Sequence, residues 1–351
     1  MTFMPKPKIA HPDLPRNALG LTRRDYEGAS STLCAGCGHD SITAAITEAV
    51  WADSLEPQNL VKLSGIGCSS KTTAYFVSGA HGFNSVHGRM PSIATGANAA
   101  NRTLRYIGVS GDGDTLSIGL GQFVHAIRRN LNMLYMIENN GVYGLTKGQF
   151  SATSDKGSKS KRGVLNMDEP IDMIGMALQL GATFVARSFS GDKAQLVPLI
   201  AGAIRHHGAA FIDVISPCVA FNNHVGSTKS FDYVREHNEA VNRLDIIEAR
   251  APITADYAPG TVETVTQHDG SVLRFRKLHA DYDPQDRISA MTYLQERHAA
   301  GEIVTGLLYL EPEAHDMHDH FETVEKPLNT LGDADLVPGN AALQKLNASL
   351  R

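Results

Sequence analysis

Residues 104–149 read LRYIGVSGDGDTLSIGLGQFVHAIRRNLNMLYMIENNGVYGLTKGQ, and the order of patterns in this stretch decides the fold. Leu104 to Ser110 is a short apolar run suited to a buried strand, Leu116 to Arg129 carries helical spacing, and Met133 to Ile137 is a second apolar run. Together they predict one β-α-β unit. Ligands of such sheets bind beyond the carboxyl ends of the strands, where both Asp112 and Asn140 fall. Gly111 and Gly113 let the backbone approach a phosphate and leave its N–H groups free to donate. Asp112 and the Asn140 amide supply the hard oxygen donors that Mg²⁺ on a diphosphate requires. A capping Asp in a βα turn would explain Gly111-Asp112-Gly113 alone. The tripeptide, its spacing to Asn139-Asn140-Gly141 and the two strand contexts together point to a diphosphate site.

Working outward, residues 40–52 read as an amphipathic helix and Leu60 to Leu63 as a strand that delivers Cys68 at its carboxyl end. Downstream, Ile171 to Leu180 and Lys193 to His206 read as helices, alternating with strands at Ala182 to Arg187 and Ala210 to Ser216. This alternation predicts an α/β fold, an open and mostly parallel sheet with helices on both faces. Between them, Gly148 to Asn166 is a long polar loop without clear periodicity, a length usually reserved for function or disorder. Past about residue 230 the pattern changes. Val262 to Val265 and Val272 to Phe275 flank Asp269-Gly270 as a hairpin, Arg287 to His298 reads as a helix and Glu302 to Leu310 as a strand. The expected organisation is therefore an N-terminal arm over 1–30, a binding domain over 31–229 and a C-terminal extension over 230–351 that makes subunit contacts. The arm carries four prolines and few apolar periods, suiting it to lie on a partner.

Composition narrows the class. With 351 residues, 42% apolar and 20% charged, the chain has the makeup of a globular protein with one sizeable core. A formal net charge of -5 argues against a general nucleic-acid binder. No apolar run reaches the roughly 18 residues that cross a bilayer, and Met1 to Arg16 has no signal-peptide core, so the expected location is the cytoplasm, away from the membrane.

All four cysteines lie outside the Gly111 to Asn140 interval. Cys34 and Cys37 form a C-x2-C pair; 30 residues intervene before Cys68 and 149 more before Cys218. In a reducing compartment a disulfide is a poor reading. Three readings stay open from the residues themselves: an iron–sulfur cluster, one structural Zn²⁺ on four thiolates, or a reactive dithiol with two unrelated cysteines.

Gly111-Asp-Gly-Asp-Thr-Leu-Ser-Ile-Gly119 and Glu138-Asn-Asn-Gly-Val-Tyr-Gly-Leu-Thr-Lys-Gly-Gln149 resemble the thiamine-diphosphate signature of the β subunit of 2-oxoacid:ferredoxin oxidoreductases, most of all the 2-oxoglutarate type. The resemblance extends to Cys34-Ala-Gly-Cys-Gly-His39, Gly65-Ile-Gly-Cys-Ser-Ser-Lys71, His87-Gly-Arg89 and Ile215-Ser-Pro-Cys218, covering residues 30–225. The tail, Leu310 to His315 and Lys326 to Asn329, resembles the longer bacterial form less specifically. The resemblance implies Asp112, Asn140 and the Val142 carbonyl as Mg²⁺ ligands, with His87, Gly111, Gly113, Asp114, Gly144, Leu145 and Thr146 around the cofactor. It implies one [4Fe–4S] cluster on Cys34, Cys37, Cys68 and Cys218, a redox-active centre that zinc cannot replace. Ala35 stands where many relatives have proline and Ser70 where many have glycine, which puts loop geometry in question but removes no ligand. The implied reaction is coenzyme A-dependent oxidative decarboxylation of a 2-oxoacid with electrons passed to ferredoxin, reversible as reductive carboxylation. The chain lacks the pyrimidine-binding half of a thiamine site, so the resemblance implies an α subunit in an α2β2 assembly.

Several further residues invite a role. Lys71, three positions after Cys68, suits the distal carboxylate of a dicarboxylic substrate, and Arg89 a substrate carboxylate; a solvated lysine and a structural ion pair are their ordinary alternatives. The basic run Lys156 to Arg162 suits coenzyme A phosphates or an acidic ferredoxin, but reads more simply as a solvated loop. His315, Asp316, His318, Asp319 and His320 look like a metal tract, yet no separate ligand set converges on them in the sequence, so they are expected to line a polar surface. His206-His207 is expected to serve the dipole of the helix it ends.

Overall fold

The apolar runs become strands buried on both faces. A computed structural model of the chain describes residues 12–160, 162–242, 244, 262–266, 272–276 and 282–350. The strands are β1 (Leu60–Ser64), β2 (His81–Asn84), β3 (Arg105–Gly111), β4 (Met133–Asn139), β5 (Val142–Tyr143), β6 (Gln149–Phe150), β7 (Phe184–Phe189), β8 (Ala209–Ile215), β9 (Asn238–Asn242), β10 (Val262–Thr266), β11 (Val272–Arg276) and β12 (Ile303–Leu310). One sheet has the order β2-β1-β3-β4-β8-β7-β12-β9. Every neighbouring pair from β2 to β7 is parallel, β12 is antiparallel to β7, and β9 is parallel to β12. The open, mostly parallel sheet is as the alternation predicts.

Period-two alternation along the central strands splits the core between two faces. In β4, Leu134 and Met136 join one apolar cluster while Met133, Tyr135 and Ile137 join the other. The first face is covered by α1 (Gly38–Ala52), through Ile42, Ile46 and Val50. The second is covered by α2 (Met90–Ala100), α3 (Leu120–Arg128) and α4 (Met173–Gln179), through Met90, Phe123 and Ile174. On the first face α5 (Lys193–Arg205) packs beside α1 through Leu196, Leu199 and Ile200. Each such fully buried side chain contributes about 1.5–3 kcal/mol.

The structure adds features the sequence pattern did not carry. Gly113–Ile118 is a π-helical turn closed by Gly119 N–H donating to the Asp114 carbonyl at 3.0 Å, so α3 begins only at Leu120. Such turns recur at functional sites because they re-aim the backbone. β2 and α2 were also not expected; α2 starts with Pro91 in its first turn, where a missing N–H costs nothing.

Beyond residue 230 come α6 (Phe231–His237), α7 (Arg287–Ala299), α8 (Met317–Phe321), α9 (Asp333–Leu336) and α10 (Gly339–Ser349). This stretch is joined to the main body: β9 and β12 complete the large sheet, and Ala290 and Leu294 of α7 enter its second cluster. β10 and β11 form the expected antiparallel pair; its turn at Asp269-Gly270 lies outside the described residues. The arm's described part lies on the chain's own α1, with Trp51 Nε1 donating to the Leu21 carbonyl at 3.0 Å and Tyr26 fully buried. No helix among the described residues is long and apolar enough to cross a membrane.

Candidate active site

β1, β3, β4 and β8 are consecutive parallel neighbours, so the segments leaving their carboxyl ends emerge side by side. These segments carry Cys68, Asp112, Asn140 and Cys218 respectively. A cleft of about 430 Å³ opens there, and its wall includes His87, Gly111, Asp112, Gly113, Asp114, Asn140, Val142, Gly144, Leu145 and Thr146, together with Cys68, Ser69 and Glu138.

The glycines are required by close approach. A Cβ on Gly113 would stand 2.6 Å from the Tyr143 ring, whose hydroxyl donates to the Gly113 carbonyl at 2.9 Å. Gly141 takes a left-handed φ of +66°, which turns the chain from Asn140 back along the cleft to Val142.

Asp112 is buried, and burial pushes its carboxyl above the ordinary range; hydrogen bonds from Ser151, Thr153 and the Asn140 backbone oppose that shift. Thr153 Oγ1 reaches Asp112 Oδ2 at 2.6 Å and Asn139 Oδ1 at 2.9 Å, tying β3 to β4, while Ser151 Oγ donates to the same Asp112 oxygen. The Asn140 side-chain oxygen accepts from Val142 N–H at 3.0 Å, and its carbonyl accepts from Asn222 Nδ2 at 2.8 Å. Asp112, Asn140 and Val142 thus form one wall of hard oxygen atoms. Asp114 is turned otherwise: it accepts from Gly88 N–H at 2.8 Å and Ser110 Oγ at 2.7 Å and pairs with His87 Nδ1, so it holds the His87-Gly88 turn against the π-helical turn.

The four thiols converge beside this cleft. Sγ of Cys218 and of Cys68 lie 3.4 and 3.6 Å from where a Gly144 Cβ would be. Cys37 caps α1, whose start lies at the same rim, and donates its N–H to the Cys34 carbonyl at 3.0 Å. Burial first, then His39, Glu138, Cys218 and Cys68, set the Cys37 thiol, which is pushed up to about 12. Burial also raises Cys68, with Cys218 adding to the shift and Lys71 opposing it. All four thiols are free, and Cys34 is exposed. Beneath them, Glu138 is fully buried with its carboxyl held well above the ordinary range by desolvation, and Thr72 Oγ1 donates to it at 3.0 Å. His39 Nδ1 lies 3.5 Å from Glu138 and 2.6 Å from Ser216 Oγ, with its pKa lowered by burial to about 4. Burial disfavours the charged form of each group, which weakens this contact as an ion pair.

Residues 65–214 match the family described as thiamine pyrophosphate enzyme, C-terminal TPP binding domain. The chain is 34% identical over 189 residues to the 2-oxoglutarate synthase subunit KorB of Methanocaldococcus jannaschii, covering 54% of this chain and 69% of that one. The chain belongs to this family of 2-oxoacid:ferredoxin oxidoreductase β subunits. It is also 40% identical over 204 residues to the 2-oxoglutarate oxidoreductase subunit KorB of Mycobacterium tuberculosis, covering 58% of this chain and 53% of the relative, so it spans about half that relative's length. Among solved structures, the 2-oxoglutarate:ferredoxin oxidoreductase from Magnetococcus marinus, with 2-oxoglutarate, coenzyme A and succinyl-CoA bound, superimposes with a TM-score of 0.72 at 28% identity, covering 94% of this chain and 96% of that one.

Within this β-subunit fold, Lys71 and Arg89 stand outside the cleft wall. Lys71 follows Cys68 in a 3-10 turn, its N–H donating to the Cys68 carbonyl at 3.1 Å. Arg89 Nη1 donates to Gln122 Oε1 at 2.9 Å. Neither has a carboxylate partner among the described residues. The residues that sequence reasoning missed are Ser151 and Thr153, which brace Asp112, Tyr143 against Gly113, and Glu138. Hydroxyls in a loop without periodicity leave no pattern to read. The basic run of that loop is partly neutralised, Lys156 pairing with Glu169, while Lys161 lies outside the described residues. His206 is not the expected dipole partner: burial lowers it to about 4, and its Nε2 meets Thr183 Oγ1 at 2.8 Å.

Proposed function

We propose that this chain is the β subunit of a 2-oxoacid:ferredoxin oxidoreductase that, with an α subunit, converts 2-oxoglutarate and coenzyme A to succinyl-CoA and CO2 and passes the electrons to ferredoxin. The observation that carries this reading is that four adjacent strand ends deliver a hard-oxygen wall and the thiols of Cys68 and Cys218 to one rim, where the start of α1 adds Cys34 and Cys37. The chain's similarity to subunits of enzymes named for 2-oxoglutarate or other 2-oxoacids supports it.

The residues fit the groups this function needs. Mg²⁺ favours oxygen donors and retains positions for water and phosphate, which suits Asp112, Asn140 and the Val142 carbonyl facing a diphosphate. The approach of Gly111 and Gly113 leaves backbone N–H groups for that diphosphate. Cys34, Cys37, Cys68 and Cys218 would hold the [4Fe–4S] cluster. One tetrahedral Zn²⁺ with bonds of about 2.3 Å would draw its sulfurs to about 3.8 Å of one another. An iron–sulfur cluster is preferred to that zinc because the proposed reaction needs one-electron transfer, which zinc does not supply. When bound, thiamine diphosphate supplies the electron sink for decarboxylation and the cluster supplies one-electron transfer.

The chain's own residues orient and insulate. Ser151 and Thr153 fix the Asp112 carboxyl that would hold the metal, and Asp114 fixes His87 at the cleft wall. Glu138 and His39, both pushed by burial toward their uncharged forms, fill the space beneath the thiols. Lys71, next to the cluster turn and without an acidic partner, is assigned to the distal carboxylate of a dicarboxylic substrate, and Arg89 to a substrate carboxylate. Cys34, assigned here to the cluster, is exposed in this chain, which supports an electron exit to ferredoxin on that side. The same groups serve reductive carboxylation when the donor potential is low enough.

The α/β complex, purified anaerobically, tests the proposal. It should contain about four iron and four sulfide per β chain and reduce ferredoxin only with both 2-oxoglutarate and coenzyme A present. A colourless complex carrying stoichiometric zinc would overturn it.

A further inference from the structure

The tract His315 to His320 does acquire a distant partner. Asp316 caps α8: its Oδ1 accepts from the His318 and Asp319 N–H groups at 2.7 and 3.0 Å. That leaves Asp316 Oδ2, on a side chain with 0% exposure, buried and without a hydrogen-bond partner. Into the same space, from the turn between α5 and β8, comes His207. Its Nε2 lies 3.4 Å from Asp316 Oδ2 and 3.0 Å from Asp319 Oδ2. The three ligand atoms all lie within 4.8 Å of one another.

We propose that His207 Nε2, Asp316 Oδ2 and Asp319 Oδ2 form a binding site for a divalent cation of the zinc class. A protonated imidazole explains only part of this geometry. Its Nε2–H has one direction and is given to Asp319, so Asp316 Oδ2 stays buried and unsatisfied, an expensive state for a carboxylate. A cation at the common vertex satisfies both oxygens and the nitrogen together. The spacing suits it: bonds of about 2.0–2.1 Å in a tetrahedron place ligand atoms about 3.3 Å apart. One imidazole with two carboxylates is a borderline donor set that favours zinc over magnesium or calcium. Arg102 Nη2 stands 3.6 Å from the other Asp319 oxygen, Oδ1, while Oδ2 accepts from Asp316 N–H at 3.0 Å and keeps its second lone pair for the cation. The fourth position falls to water or to exposed His315, whose Nδ1 is 3.8 Å from Asp319 Oδ2.

The cation would staple the segment after β12 to the sheet. That segment already leans there, with Met317 N–H donating to the Asn130 carbonyl at 3.1 Å and Asn130 Nδ2 to the His315 carbonyl at 2.6 Å.

Equilibrium dialysis tests the site. The assembled α/β holoenzyme, saturated with Mg²⁺ and thiamine diphosphate and stripped with a chelator, is dialysed against buffered Zn²⁺. Iron is quantified in parallel so that zinc at the cysteines is recognised. His207→Ala and Asp319→Asn serve as variants because both positions are partly exposed, at 49% and 33%, so the core stays intact. The expected result is one additional Zn²⁺ per β chain in the wild type, bound at least tenfold more weakly by each variant, with Zn²⁺ raising the melting temperature of the wild type alone. Equal zinc in wild type and both variants would overturn the site and leave a plain histidine–aspartate contact.

Discussion

The two rims of the sheet are built differently. At the carboxyl rim, β1, β3, β4 and β8 run the same way side by side, so the turns after β1, β3 and β4 line one cleft and Cys218, after β8, lies beside it. At the amino rim, the turns before β4 and β8 carry Asn130 and His207, and the chain that meets them leaves the reversed strand β12. Strand direction alone explains the division. A parallel neighbour adds its exit turn to the cleft, whereas an antiparallel one sends its exit to the other side. One rim is thus built for ligands from contiguous βα units, and the other clamps a segment from far along the chain.

Substitutions that separate the rims break or sharpen this comparison. The largest effect is expected from Leu308→Ala. Leu308 is fully buried in the second cluster, and its truncation should cost about 2–5 kcal/mol of unfolding free energy, read by denaturant titration, with cofactor affinity unchanged. A matching loss of thiamine diphosphate affinity would mean that the reversed strands shape the cleft after all. Next is Lys71→Ala, expected to lower kcat/KM for 2-oxoglutarate relative to a monocarboxylic 2-oxoacid by about 2 kcal/mol, roughly 30-fold, with the cluster's EPR signal intact. Equal losses on both substrates would assign Lys71 to the proposed cluster, whose proposed ligand Cys68 lies three residues before it. Thr153→Val removes the donor shared by Asp112 and Asn139 and should weaken thiamine diphosphate by about tenfold in calorimetry.

The smallest effect concerns Glu138. Its folded carboxyl titrates well above the ordinary value because it is buried, so between the usual carboxylate pKa and the raised one the folded chain holds a proton that the unfolded chain has lost. Stability from this group is therefore present at low pH and declines as pH rises through that window. Glu138→Gln should flatten the decline in urea midpoints measured from pH 5 to pH 8. Parallel curves for the two proteins would place Glu138 in a more polar setting than its burial indicates.

The carboxyl rim was largely legible because its determinants are local. Gly111-Asp112-Gly113 and Asn139-Asn140-Gly141 each sit directly after an apolar run, and strand periodicity fixes which way they face. Cys68 and Cys218 follow strands in the same way. What stayed hidden depended on closure of the whole chain. Ser151 and Thr153 lie in a loop whose polar residues show no period, so nothing marked them as the braces of Asp112. β9 and β12 complete the large sheet, but edge pairing is decided by which apolar face remains uncovered, not by their own sequence. His207 is 112 residues from Asp319, and only the reversal at β12 brings them together.

The central claim, that adjacent strand ends build a metal-anchored diphosphate site, is tested most directly by thiamine diphosphate calorimetry on the assembled α/β complex carrying Asp112→Ala. With Mg²⁺ present and the far-UV spectrum unchanged, affinity should fall by about 100-fold or more, equivalent to about 2.7 kcal/mol, because a buried charged ligand is lost. Wild-type affinity in that variant would contradict the account.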